Sequence, residues 1–327
     1  MPKPDPAVAR WIRRTLADDP PRARSLIVTV WGDALAPHGG EVWLGGLIAL
    51  LEPLGINERL TRTSVFRLAR DGWLTAQTSG RHSRYRLTSQ GRARFEAAYR
   101  RIYAAPVDRW DGEWDLVIDP PGAADAAERQ RLRDELRWDG FGLLAPGIHA
   151  RPRIDADAAA IVARLGAADR VLVLRAHADG PPGGVDPSAH VAQLWDLTAL
   201  GRDYRRLLAR FGSVIDRFRM RPIEATDPAQ CFVVRTLLIH AFRRVLLRDP
   251  RLPPALLPLD WPGVAAYALM RDFYRLTASQ AEAHLASTLG VNGTPWPAAE
   301  PAFYARFGGL ARGTSNQDFA PGSRRTG

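Results

Sequence analysis

Thiol chemistry is nearly absent from this chain, which carries one cysteine, Cys231, in 327 residues. A single thiol cannot close an intramolecular disulfide, and no sulfur cluster exists to hold structural zinc or an iron–sulfur centre. Long apolar runs are missing as well. Met1 to Arg24 is rich in charge and proline and lacks the continuous apolar stretch of a signal peptide, and Leu26 to Trp31 is too short to cross a bilayer. These absences predict a cytoplasmic protein with no membrane partner.

The common catalytic signatures are missing too. No G-x-x-x-x-G-K, G-x-S-x-G or H-E-x-x-H motif occurs. Gly140-Phe141-Gly142-Leu143-Leu144-Ala145 matches a dinucleotide pattern, but it leaves a predicted helix and enters a predicted strand, whereas cradling a phosphate needs the opposite order. Cys231 and His240 lie nine residues apart on one predicted helix, which turns them to opposite faces. Both read as packing residues. Asp115 and Asp119, at a strand end, raise a metal-dependent nuclease as the alternative function, but no second acidic cluster accompanies them. The expectation is a protein with no catalytic residues, no metal and no cofactor.

Lysine is scarce, with Lys3 alone, so the net charge of +10 is carried by arginine. Its placement is uneven. Ile56 to Ala105 holds eleven arginines against Glu58, Asp71 and Glu96, an excess of eight, and the remainder of the chain is close to neutral. A basic patch confined to one region is the electrostatic footprint of a polyanion partner.

That region has a readable local order. Ser25 to Leu35 is a predicted helix closed by Pro37, His38 and Gly39-Gly40, and Val42 to Leu51 a second. Pro53, Gly55 and Ile56 then form a turn, and Asn57 is placed to cap a third helix that starts at Glu58 and ends before Gly72. On that third helix Thr61, Val65, Leu68 and Ala69 share one side. Arg59, Thr63, Phe66, Arg67 and Arg70 spread over the other, with Arg62 at the border. Trp73 to Thr78, a turn at Ser79 to Ser83, and Arg84 to Thr88 then predict a basic β-hairpin. Two helices joined by a tight turn, the second basic on its outer face and followed by a basic hairpin, are the parts of a winged helix-turn-helix. The predicted double-stranded DNA contacts are Arg59, Arg62, Thr63, Phe66 and Arg67 on the helix and Arg81, Arg84 and Arg86 on the wing.

Thr88 to Tyr103 continues as a basic amphipathic helix, and Pro106 marks a boundary. Strand (Trp114 to Ile118), helix (Ala126 to Asp139), strand (Phe141 to Ala145), strand (Ile148 to Arg151), helix (Ala156 to Leu165) and strand (Arg170 to Ala176) then follow. Their order is βαββαβ, the ferredoxin-like arrangement. Gly180 to Gly184 reads as a linker. Ala189 to Phe211, Ala229 to Leu247, Val264 to Leu276 and Ala278 to Leu289 carry helical periodicity. The prediction is an α+β multidomain chain: a winged helix-turn-helix domain over 22–105, a ferredoxin-like central domain over 106–179, a helical effector or dimerisation domain over 187–307, and a disordered tail over 308–327.

Several of these segments also carry a resemblance. Leu54-Gly55-Ile56-Asn57-Glu58-Arg59, Arg62-Thr63, Arg67-Leu68, Gly72-Trp73-Leu74, Leu87-Thr88 and Gly91 with Tyr103 belong to it. So do Trp110-Asp111-Gly112 with Trp114, and Gly140-Phe141-Gly142 with Leu144-Ala145-Pro146-Gly147. The run from His240-Ala241-Phe242-Arg243-Arg244 through Asp249-Pro250 to Trp261-Pro262-Gly263 completes it. On these residues the chain resembles the PaaX family of repressors of phenylacetate-degradation operons. The resemblance implies a homodimeric repressor that is released from operator DNA by phenylacetyl-coenzyme A or a related acyl thioester. Phe66 departs from it, standing where a small or polar residue is expected. Arg235, His240, Arg243, Arg244 and Trp261 cluster in the similar carboxy-terminal run and are the predicted effector contacts. Pairing of these arginines with Asp249 and Asp260 is the competing structural role.

Overall fold

The computed structural model describes residues 2–80, 82–106, 109–122, 125–154, 157–177, 191–192, 194–290 and 295–310. The predicted linker at Gly180 to Gly184, the start of the third domain at Pro187, most of the predicted tail, and Arg81 lie outside them. The chain divides into two compact units. The first comprises Met1–Ala104, Gly212–His240 and Met270–Gly327, and the second Ala105–Phe211 and Ala241–Leu269. The segments predicted as one helical domain are therefore apportioned between both units. Among the described residues no helix is long and apolar enough to cross a membrane.

The first unit opens with a helix that the proline- and charge-rich start did not suggest, α1 (Pro6–Asp18). Pro6 is tolerated at the first helical position, where its missing N–H would have no partner, and the Asp5 carboxylate caps the helix by accepting from the Ala7 amide at 2.8 Å. Arg217 donates to the same carboxylate at 2.7 Å, which holds the Asp5 carboxyl below its ordinary range. The predicted helix from Ser25 to Leu35 is interrupted: α2 spans Ala23–Val30, and Trp31–Leu35 forms a π-helical turn.

The predicted start at Val42 is also corrected. Glu41–Trp43 is a strand, β1, and helix α3 begins after it at Leu44–Leu51. Gly55, at φ +80°, makes the left-handed turn into α4 (Glu58–Arg70). Strands β2 (Leu74–Ser79) and β3 (His82–Leu87) pair in antiparallel register from Leu74–Leu87 to Ser79–His82, a tighter turn than predicted. β1 adds to the other edge of β3, giving the sheet order β1-β3-β2. Helix α5 (Ser89–Tyr103) follows, capped by the Thr88 hydroxyl. Leu26, Ile27, Val30, Leu47, Leu50, Leu51, Leu54, Val65 and Leu68 form the apolar interior.

The second unit contains the predicted βαββαβ succession: β4 (Glu113–Ile118), α6 (Ala126–Trp138), β5 (Gly142–Ala145), β6 (Ile148–Pro152), α7 (Ala158–Arg164) and β7 (Leu172–His177). The sheet order is β5-β6-β4-β7 and every pair is antiparallel, as a ferredoxin-like fold requires. Val117, Leu132, Leu136, Phe141, Ile161 and Val162 form its core.

Three long helices follow, α8 (Leu197–Arg219), α9 (Pro228–Leu246) and α10 (Pro262–Leu289), and a short helix at Pro301–Tyr304 comes after them. The division between units falls within each of the three long helices. α8 runs past the predicted end at Phe211, and α10 joins two segments predicted as separate. Thr277, at the predicted break, is fully buried and donates its hydroxyl to the Phe273 carbonyl at 2.8 Å, so its polar group is satisfied inside a continuous helix.

Inside the first unit lies a buried charge network that the sequence did not reveal. The π turn places Asp33 in the interior, where one carboxylate oxygen accepts from Tyr103 at 2.6 Å, Tyr274 at 2.9 Å and Arg306 at 3.2 Å. The Arg306 guanidinium sits 4.0 Å from the Tyr103 ring centre and 4.8 Å from that of Phe303. Arg235 approaches the other Asp33 oxygen at 3.6 Å and Glu282 at 3.5 Å. Burial pushes the Tyr103 phenol well above its usual range, so it stays a hydrogen-bond donor.

Removing Asp33 would leave buried Arg235 with Glu282 as its one acid partner and buried Arg306 with none among the described residues. Asp33→Ala is expected to cost about 3–5 kcal/mol in urea unfolding, because an unpaired buried charge keeps its full desolvation penalty. Asp18→Ala, which breaks an exposed pair with Arg14, should cost less than about 1 kcal/mol. Equal losses in the two variants would contradict this account of the network.

Candidate nucleic-acid interface

Helix α4 owes its position to a cap and to an apolar stripe. The Asn57 side chain accepts from the Leu60 amide at 2.9 Å, Glu58 occupies the first turn, and Arg67 and Arg70 occupy the last, so charge opposes the helix dipole at both ends. Thr61, Ser64, Val65 and Leu68 are buried. Arg59, Arg62, Thr63, Phe66, Arg67 and Arg70 are exposed on the opposite face. Ser64 is the one buried position that the helical wheel did not single out.

The exposed polar groups differ in their commitments. Arg62 is held to Glu58 one turn back at 2.7 Å, and the Thr63 hydroxyl donates to the Arg59 carbonyl at 2.9 Å. Among the described residues neither Arg59 nor Arg67 has an ion-pair partner. Arg24 reaches the helix end and pairs with Asp71 at 2.6 Å, holding that carboxyl below its ordinary range.

The hairpin presents Arg84 and Arg86 on one face of β3, two residues apart. Arg84 is oriented by neighbours on β1: it pairs with Glu41 at 2.5 Å and lies 4.4 Å from the ring centre of Trp43. Reading residues 42 and 43 as helix hid these two neighbours. The usable signal was Glu41-Val42-Trp43 itself, an extended-favouring triplet directly after two glycines.

Thr88 fastens helix, hairpin and α5 together. Its hydroxyl donates to the Gly72 carbonyl at 2.6 Å and accepts from the Gly91 amide at 2.9 Å, while its own amide donates to the Trp73 carbonyl at 3.1 Å. Gly91 permits this contact. A Cβ there would stand 2.2 Å from the Trp73 carbonyl oxygen.

The other predicted sites are placed differently. Asp115 is buried and bound by Arg151, whose Nη2 lies 3.0 Å from its carboxylate, so a guanidinium occupies the oxygen that a metal would need. Cys231 is buried, and burial pushes its thiol up to about 12. Of the predicted effector contacts, Arg235 and His240 belong to the first unit and Arg243, Arg244 and Trp261 to the second. Arg235 serves the Asp33 network, and His240 is hydrogen-bonded to the Thr29 hydroxyl at 2.9 Å. Trp261 packs edge-on against Tyr204, with ring centres 5.9 Å apart. Asp249 accepts from the Tyr204 hydroxyl at 2.6 Å, and Asp260 lies 3.6 Å from Arg205. A cavity of about 190 Å³ lies within the first unit, walled by Pro37, Leu87, Phe95, Tyr99 and Phe303 with Arg92 among its lining residues.

Comparison with known proteins matches three family descriptions along the chain. Residues 22–91 match "PaaX-like protein", residues 107–187 "PaaX protein central Cas2-like domain", and residues 195–287 "PaaX-like protein C-terminal domain". The transcriptional repressor PaaX of Escherichia coli is 36% identical over 292 residues, which covers 89% of this chain and 92% of that protein. The solved structure of an uncharacterized protein from Mycobacterium tuberculosis is 30% identical, covering 73% of this chain and 89% of that one, with a TM-score of 0.49.

The close approach at Gly91 yields a stability test. Gly91→Ala should destabilise the protein by about 1–3 kcal/mol, since the new methyl must displace backbone. Gly45→Ala, at a helical position with open space around it, should be neutral or stabilising by up to about 1 kcal/mol. Thermal melts of the two variants decide the matter, and a Gly91→Ala melt no lower than that of Gly45→Ala would refute the close contact.

Proposed function

The chain belongs to the PaaX family, and on that premise we propose that it is a DNA-binding transcriptional repressor whose residues 22–105 form a winged helix-turn-helix. One observation carries this reading: the open face of α4 gathers Arg59, Arg62, Thr63 and Arg67, and Thr88 fastens that helix's end to a hairpin bearing Arg84 and Arg86. A helix of this width fits the major groove, and guanidinium groups can donate bidentately to guanine O6 and N7 or pair with phosphates. The hairpin then lies along the backbone as the wing. The E. coli relative, named as a transcriptional repressor, supports the regulatory reading.

In this reading α4 supplies sequence discrimination and the wing supplies general affinity. Arg84 is pre-oriented by Trp43 but shares its charge with Glu41, so a phosphate must compete with that carboxylate. Arg84→Ala is expected to weaken all duplexes about equally and to reduce the salt slope of binding by about one. Arg67→Ala should cost about 1–3 kcal/mol of discrimination between operator and unrelated DNA. Unaltered operator binding in both variants would remove the helix-and-wing assignment.

The controlled genes are proposed to be those of phenylacetate catabolism, with a coenzyme A thioester, phenylacetyl-coenzyme A foremost, as the releasing effector of a cytoplasmic homodimer. An acyl thioester needs an apolar recess for its acyl group. The cavity walled by Leu87, Phe95 and Phe303 provides one, and Leu87 is the last residue of the wing strand β3. Occupation of that recess would therefore act directly on the wing. Fluorescence anisotropy on the protein's own upstream DNA, titrated with phenylacetyl-coenzyme A and separately with phenylacetate, tests the effector. Release by the thioester alone is the expected result. Binding that neither compound disturbs would refute the effector assignment and leave the DNA-binding reading in place.

A further inference from the structure

Phe66 is two-thirds exposed, with 65% of its surface open to water, and it stands in the middle of the open face of α4. Its polar helical neighbours one turn away are Arg62, Thr63 and Arg70, and Arg59 lies two turns back on the same face. Two of them are drawn aside by acids of the same segment: Arg62 to Glu58 at 2.7 Å and Arg70 to Asp71 at 3.3 Å. Thr63 turns its hydroxyl inward to the Arg59 carbonyl. The phenyl ring is left projecting among cations, with Leu60, 45% exposed, on the same helix. The ring lies outside the buried stripe of Thr61, Ser64, Val65 and Leu68 that seats the helix, so its fit is to be sought in what the basic face binds.

The chemistry of what could cover it is restricted. A second copy of the same face would set arginines against arginines, and an apolar protein partner would have to strip water from several guanidinium groups without supplying counter-charge. The major groove supplies both requirements at once. Phosphates flank it, and within it thymine presents the one apolar group on any base edge, its 5-methyl. We propose that Phe66 is a specificity-determining residue that packs its ring on a thymine methyl in the bound site. The inference rests on the reading of α4 as the recognition helix and adds to it a defined base. An aromatic ring has no donor or acceptor to offer in the ring plane, so Phe66 discriminates thymine by contact alone, while Arg59, Arg62 and Arg67 address phosphates and guanine.

The test removes the methyl and nothing else. The full-length protein is titrated by anisotropy onto its own upstream duplex and onto duplexes in which single thymidines are replaced by deoxyuridine, which pairs identically. At one or two positions the wild-type protein should bind about three- to fivefold more weakly, the loss of one buried methyl. Phe66→Ala should bind the thymidine and deoxyuridine duplexes within about twofold of each other at those positions. Because the side chain is exposed, the variant should melt with the wild type, which circular dichroism verifies. Indifference of the wild type to every replacement, or an equal penalty in Phe66→Ala, overturns the proposal while the DNA-binding reading stands. Sedimentation in which Phe66→Ala alone converts a dimer to monomers would also overturn it, by showing that a second copy covers the ring. Failure of the wild type to bind any duplex overturns the DNA-binding reading itself.

Discussion

The first unit is organised around one buried carboxylate. Asp33 accepts hydrogen bonds from Tyr103 at the end of α5, from Tyr274 in α10 and from Arg306 near the carboxy-terminal end of the described chain. These donors lie 70, 241 and 273 residues away in sequence, so one oxygen ties together three distant stretches of chain. A charge in that position is costly unless it is fully paired, and so the residues that pair it become mutually obligatory. Arg306 repays part of its own desolvation by stacking within the rings of Tyr99, Tyr103 and Phe303. The network also fixes the far end of α5, whose near end is fastened by Thr88 to the hairpin and to the end of α4.

Arginine therefore plays two opposed parts in the same unit. Arg235 and Arg306 are wholly buried and serve cohesion, while Arg59, Arg67 and Arg86 are exposed. The guanidinium group suits both, because it is weakly hydrated for a cation, stacks on aromatic rings and donates in a planar fork. Its abundance in composition says nothing about which part a given arginine plays. Position decides that: the exposed set lies on one face of α4 and one face of β3, opposite the sides that those elements bury.

Local features were legible where a short segment determines its own conformation. The apolar stripe of α4, its Asn57 cap and the Gly55 turn were all visible as spacing, and the exposed face followed from them. The alternation of the hairpin and the βαββαβ succession were legible for the same reason, and the α+β class with a ferredoxin-like central fold holds. Failures came where a partner outside the segment chose the conformation. Glu41–Trp43 continues smoothly into an apolar helix by pattern, but β3 offers an open edge and captures those residues as a strand. α10 runs unbroken through Thr277, a position that tertiary packing buries fully. α1 was obscured by the prolines and charges that, at a helix start, act as its cap and first turn.

The sequence by itself determined where basic charge concentrates, which side of α4 faces water and in what order the strands and helices of the central fold succeed one another. Each of these depends on residues within a few positions of one another, where periodicity and capping act directly. Tertiary structure alone decided that Asp33 lies buried beneath Arg306, that Arg235 is committed to that network and so withdrawn from the surface, that Glu41 and Trp43 orient Arg84, and that Leu87 and Phe303 enclose a common cavity. Those outcomes depend on contacts between residues tens to hundreds of positions apart, and no local spacing encodes which distant groups a folded chain will bring together.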